Sequence, residues 1–189
     1  MFIIHWSLFP AKIICPGMKS WALCTIVFGY VYLRIEVWQS HFLISMAEEL
    51  GKLEETVSCL RATDWIDGEP QRLSITQNKP VLLLFQEIPG WCTCTEFGSG
   101  PLSDNTVLAL IRDQFITVII QNNTPSGSPD EQVLRYFNEA SWNNPVLRFL
   151  HFPDGNTPCD VLPRKDGVYS TADVHSRLTE TLRAYQQTN

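Results

Sequence analysis

No Cys-x-x-Cys pair occurs in this sequence, no basic surplus offsets its acids, and no internal repeat or low-complexity tract appears. With 14 Lys and Arg against 20 Asp and Glu, the net charge of -6 leaves no broad cationic footprint for a nucleic-acid backbone to grip. Nucleic acid is therefore not an expected partner. The charged content of 18%, beside 44% apolar and 11% aromatic residues in a chain of 189, fits one globular domain with a short appendage. It excludes a disordered, collagenous or coiled-coil protein. Six cysteines, Cys15, Cys24, Cys59, Cys92, Cys94 and Cys159, are too few and too irregularly spaced for a disulfide-stapled mini-protein of this length. Only Cys92 and Cys94 sit close together.

A long uncharged apolar run is also missing. The most apolar stretch, residues 21–33, lies between Lys19 and Arg34 and is shorter than the roughly 20 residues a membrane-crossing helix needs. It has the length of a signal-peptide core, but Arg34, Glu36 and Trp38 follow where a small-x-small cleavage pattern belongs. Residues 1–46 thus form an apolar N-terminal extension, either signal- or anchor-like or translated from upstream of a native start near Met46. They carry only Lys12, Lys19, Arg34 and Glu36, so the acidic charge belongs to residues 47–189. The expected location is the cytoplasm, with export or membrane anchoring in its place if the extension is genuine.

After Met46 the patterning becomes that of a domain. A helix is expected over residues 46–60, then a polar loop containing Trp65, Gly68 and Pro70. Val81-Leu82-Leu83-Leu84-Phe85 is an uninterrupted apolar run of strand length, as a central strand buried on both faces requires. Pro89-Gly90 turns the chain into a helical piece at Cys92, and Gly98-Ser99-Gly100 separates it from a helix capped at Ser103-Asp104 and running to about residue 113. Residues 115–120 read as a second buried strand and residues 130–138 as a helix. Residues 146–152 suit an antiparallel strand, Val161-Leu162 its short return, and Ser170 to Asp173 caps a last helix reaching Tyr185.

The chemistry gathers at one junction. A buried strand that ends in a turn and delivers Cys92 to a helix start places a thiol where unpaired N–H groups and the helix dipole favour its anion. Cys92 is the candidate nucleophile. Two bland or different readings stand beside it: both cysteines as small buried apolar residues, or a thiol pair holding a soft ion such as Cu(I). A zinc site lacks a clear second pair of ligands. Cys159, His151 and His175 are scattered in sequence and read as structural; Glu87 is a candidate proton acceptor near the turn.

Trp91-Cys92 after the strand, and Pro145 before the next, resemble thioredoxin-like domains, which place Trp-Cys-x-x-Cys and a cis-proline at these points. More closely, Ile88-Pro89-Gly90 through Thr95, then Phe97-Gly98, is similar to the thioredoxin-like family named for Val-Pro-Gly-selenocysteine-x-x-Thr, whose selenocysteine is often replaced by cysteine. Trp142-Asn143-Asn144-Pro145-Val146 and Pro163-Arg164-Lys165-Asp166-Gly167 also look like that family, and the resemblance covers about residues 79–185. Trp91 is a departure, since it intervenes between Gly90 and the reactive position; indole exchanges no disulfides, which leaves that role to Cys92.

The resemblance implies an α/β thioredoxin-like sandwich, a central mixed sheet flanked by helices with the reactive loop at a strand's carboxyl end. It implies a thiol-dependent redox protein acting on a disulfide or peroxide, in a protein or small molecule, with an external thiol as reductant and no cofactor. Cys92 would attack, Thr95 would donate a hydrogen bond to its thiolate, and Cys94 would be available to resolve the product. Trp91, Trp142, Asn144 and Pro145 would shape the acceptor surface, with a cis Asn144–Pro145 bond exposing backbone for pairing. The alternative is a non-catalytic binding module or soft-metal carrier on the same scaffold.

Overall fold

The computed structural model describes residues 49–90, 92–142, 145–167 and 169–188, all within one compact unit spanning Ser40–Asn189. The N-terminal extension expected over residues 1–46 lies outside them. Among the described residues no helix is long and apolar enough to cross a membrane.

The elements run α1 (Leu53–Thr56), β1 (Cys59–Leu60), α2 (Ala62–Ile66), α3 (Glu69–Gln77), β2 (Val81–Gln86), α4 (Cys92–Ser99), a 3-10 turn (Pro101–Ser103), α5 (Asn105–Gln114), β3 (Ile116–Gln121), α6 (Pro129–Tyr136), β4 (Val146–His151), β5 (Cys159–Asp160), β6 (Lys165–Asp166) and α7 (Thr171–Thr188). The sheet order is β1-β3-β2-β4-β5, with β6 also on β4. Strand β2 pairs parallel with β3 and antiparallel with β4, which makes the sheet mixed.

Burial of β2 on both faces follows from its unbroken apolar run, because successive side chains point to opposite sides. Leu82 and Leu84 enter a core with Phe97 of α4, Val107, Leu108 and Ile111 of α5, and Val174 and Leu178 of α7. Val81, Leu83 and Phe85 enter the other, with Ala62 of α2 and Val133 and Leu134 of α6. Helices thus cover both faces, as the sandwich reading requires.

Four local expectations are corrected. The helix over residues 46–60 is interrupted: Glu49 and Leu50 are helical, Gly51 takes a positive φ of 54°, α1 ends at Thr56, and Cys59–Leu60 joins β3 as an edge strand. The polar stretch read as a loop holds two helices, because Pro70 occupies the first turn of α3, where its missing N–H costs nothing, and Gly68 supplies the left-handed residue before it. No break falls at Gly98-Ser99, which complete α4. The return strand is Cys159–Asp160, after which only the Val161 N–H continues to the Phe149 carbonyl, at 2.7 Å.

Candidate active site

The carboxyl ends of β2 and β3 and the amino end of β4 meet at one end of the sheet, since Gln86 pairs with Gln121 and Phe85 with Val146. Their tips are amides: Gln86 at the end of β2, and Gln121 with Asn122 and Asn123 at the end of β3. These amides hold the turn 87–90. Asn123 accepts from the Ile88 N–H at 2.9 Å and donates to the Pro89 carbonyl at 2.8 Å, while the Gln121 amide donates to the Ile88 carbonyl at 2.6 Å. The Ile88–Pro89 bond between them is cis.

From that loop the chain enters α4 at Cys92, which is exposed at the helix's first position. Residues two apart on a helix face away from each other, and Cys94 accordingly points inward with 1% of its surface exposed. Thr95, three residues on, shares the Cys92 side and is half-buried. A direct Cys92–Cys94 disulfide therefore requires the first turn of α4 to unwind.

Cys94 lies in a negative pocket. Burial raises its thiol pKa above the ordinary value, and the charges of Glu87 and Glu49 raise it further, against hydrogen bonds with the Glu87 backbone and the Thr93 side chain. Glu87 is itself only 6% exposed, and burial pushes its carboxyl upward. The Gly90 backbone closes this pocket: a Cβ there would stand 2.7 Å from Cys94 Cβ and 2.8 Å from the Glu87 carbonyl, so only glycine fits. Beneath it the buried Gln86 amide donates to the Glu49 carbonyl at 3.0 Å and the Cys94 carbonyl at 3.3 Å.

Of the expected acceptor surface, Pro145 is buried one residue before Val146, beside the loop, and Gly167 donates its N–H to the Pro145 carbonyl at 3.3 Å. Trp142 is 66% exposed with a positive φ of 56°, a backbone state uncommon for a bulky residue. Trp91, Asn144 and the Asn144–Pro145 bond lie outside the described residues. Cys59 and Cys159 sit on edge strands away from the junction; burial lifts the Cys59 thiol to about 12, and Cys159 pairs across the ladder with His151. His175 lies on α7. Among the described residues no cluster of three or more His, Cys, Asp or Glu side chains is arranged to hold a metal. The amide cradle and Glu49 were not singled out in the sequence; the polar tips Gln86-Glu87 and Gln121-Asn122-Asn123, closing two apolar runs, were the available signal.

No family model matches the sequence, and no curated relative does. Among solved structures, the chain is similar to a thioredoxin from Thermus thermophilus at 19% identity and a TM-score of 0.52, over 67% of this chain and 88% of that one. A DsbH oxidoreductase aligns at 18% identity and a TM-score of 0.47, over 61% and 81%. The oxidised C-terminal domain of DsbD from Neisseria meningitidis aligns at 16% identity and a TM-score of 0.44, over 70% and 100%. With the mixed sheet, the helices on both faces and the helix start at Cys92 in place, the likeness to thioredoxin makes this an α/β sandwich of the thioredoxin-like fold.

Proposed function

We propose that the protein is a thiol-dependent oxidoreductase whose Cys92 sulfur attacks a disulfide or a peroxide. One observation carries the reading: an exposed cysteine stands first in a helix at the carboxyl end of a central strand, where the helix's unpaired N–H groups collect.

With a disulfide, the Cys92 thiolate bonds to one substrate sulfur, the substrate S–S bond breaks, and the departing thiolate takes up a proton. An external thiolate then attacks Cys92 Sγ and releases the second substrate thiol. A second external thiol attacks the sulfur now bound to Cys92, which restores the Cys92 thiol and leaves the reductant as its disulfide. With a hydroperoxide, Cys92 takes the distal oxygen, the O–O bond breaks, and an alcohol or water leaves. The resulting sulfenic acid loses water to the first external thiol and is restored by the second.

Thr95, on the same side of α4, donates a hydrogen bond to the sulfur. Cys94 attacks Cys92 Sγ in place of the first external thiol once the first helical turn opens, giving its proton to Glu87, releasing the second substrate thiol or water and forming a Cys92–Cys94 disulfide. Two external thiols then reduce that bond in succession and leave as their own disulfide. In this reading Trp142 and Pro145, together with Trp91 and Asn144, serve the surface that meets the substrate. The sequence from Ile88 to Thr95 supports kinship with the Val-Pro-Gly-selenocysteine family, and a thiol kept reduced between turnovers suits the cytoplasm.

The test is turnover of a small disulfide and of a hydroperoxide, each with dithiothreitol as reductant. Cys92→Ser is expected to fall to the uncatalysed rate in at least one assay; unchanged rates in both would remove the proposal. The second reading, a non-catalytic binding module, draws on the inward orientation of Cys94. It requires partner affinity to survive Cys92→Ser.

A further inference from the structure

The segment before α1 grips α4 at both ends. At the far end, Gly51 packs against the Gly98 carbonyl so closely that a Cβ would lie 2.0 Å from it, and Lys52 donates its N–H to the Leu102 carbonyl at 3.0 Å. Ser103 Oγ donates to the same Gly98 carbonyl at 2.8 Å. At the near end, Glu49 is 2% exposed and its Oε1 accepts the Gly90 N–H at 2.6 Å, while its main-chain carbonyl accepts from Gln86. Gly90 is the residue whose backbone lies over Cys94. The Gln86 amide, in turn, bridges the Glu49 and Cys94 carbonyls. One residue is therefore bonded to the lid of the pocket through its carboxylate and tied to the floor through its main-chain carbonyl and Gln86.

We propose that Glu49 is a positioning residue that latches the Gly90 backbone over Cys94, keeping the buried thiol from Cys92 and from solvent until the loop opens. The inference deepens the redox reading and rests on it for its purpose. A latched lid lets Cys92 react first and leaves its adduct to an external thiol, and release of the Gly90 N–H admits Cys94 to the reaction. The charge of Glu49 adds a second effect. With Glu87 it is one of the two carboxylates that act on Cys94 and favour its protonated form.

Cys94 alkylation by iodoacetamide in the full chain, followed across pH in a Cys92→Ser background, separates latch from charge and needs no turnover. Glu49→Ala removes the acceptor and is expected to speed Cys94 alkylation about tenfold, the scale of one lost hydrogen bond to a charged group. Glu49→Gln keeps an oxygen for the Gly90 N–H; it is expected to preserve protection while moving the Cys94 pH profile downward. Alkylation of the buried Cys59 is the control and should stay slow in both variants. Unchanged Cys94 kinetics in Glu49→Ala would overturn the latch, as would equal exposure of Cys94 in both variants or a parallel gain at Cys59. Should Glu49→Ala fail to fold, amide hydrogen exchange at Gly90 in the unaltered protein decides: slow exchange of its N–H supports the latch, and exchange at the rate of a free amide overturns it. A negative turnover assay with a responsive Cys94 would instead sink the redox function and leave the latch standing.

Discussion

Two buried glutamates, Glu139 after α6 and Glu87 after β2, are handled in opposite ways. Glu139 is ringed by cations: Arg148 Nε lies 2.7 Å from one oxygen and Arg164 Nη2 2.8 Å from the other, and these arginines continue to Asp160 and Asp166. Burial works to raise its carboxyl, but hydrogen bonds and charge from Arg164 and Arg148 outweigh it and hold the group below its ordinary value. Glu87, beside the Cys92 junction, has no cation paired with it among the described residues, and burial lifts it instead. A compensated charge ties β4 to the strands at its edge. An uncompensated one is a cost to the fold that a structural role does not explain, and its effect falls on Cys94.

Removing Glu139 should have the largest effect on stability. Glu139→Ala leaves two partly buried guanidinium groups facing each other, and urea unfolding is expected to show a loss of about 3–5 kcal/mol with thiol exchange per folded molecule unchanged. Because the folded carboxyl is depressed, its contribution is present above the unfolded pKa and is lost as pH falls through the folded value. Acid unfolding of the wild type should be steeper than that of Glu139→Gln.

Gly90→Ala should show a smaller effect on stability and a direct one on the site. Its Cβ must displace Cys94 or the Glu87 carbonyl, at a cost of about 1–3 kcal/mol, and Cys94 alkylation should change where Cys59 does not. The smallest stability effect belongs to Glu87→Gln. A carboxyl raised by burial favours the fold while protonated and loses that contribution as pH rises through its folded value. The amide should therefore leave neutral-pH stability unchanged or raise it by up to about 1 kcal/mol, while the Cys94 alkylation profile moves to lower pH. A large stability loss in Glu87→Gln would erase the contrast between the two acids.

Much of the architecture could be read from local pattern, because β2 and β3 are unbroken apolar runs and Asp104 caps α5 by accepting from the Thr106 and Val107 N–H groups. What escaped was decided at long range. Nothing near Gly51 announces that Gly98, 47 positions later, will press against it and interrupt the helix expected there. Pro70 looked like a breaker because its position within the first turn of α3 depends on the left-handed Gly68. The return strand is polar, Cys159–Asp160, and is selected by Leu150 and His151 across the ladder in place of its own apolar neighbours. At the candidate site, the placement of Cys92 at a helix start after the strand was legible in the sequence, and the opposite exposure of Cys92 and Cys94 follows from helical spacing. The Glu49–Gly90 bond joins residues 41 apart and left no local trace.

Mass-spectrometric mapping of the reduced protein after brief exposure to limiting oxidised glutathione, with an acid quench, tests the order of thiol reactivity directly. The exposed Cys92 should carry the first mixed disulfide, ahead of Cys94, Cys59, Cys159 and the two cysteines of the first quarter of the chain. An adduct appearing first at any other cysteine, with Cys92 unmodified, would contradict the assignment of the attacking sulfur.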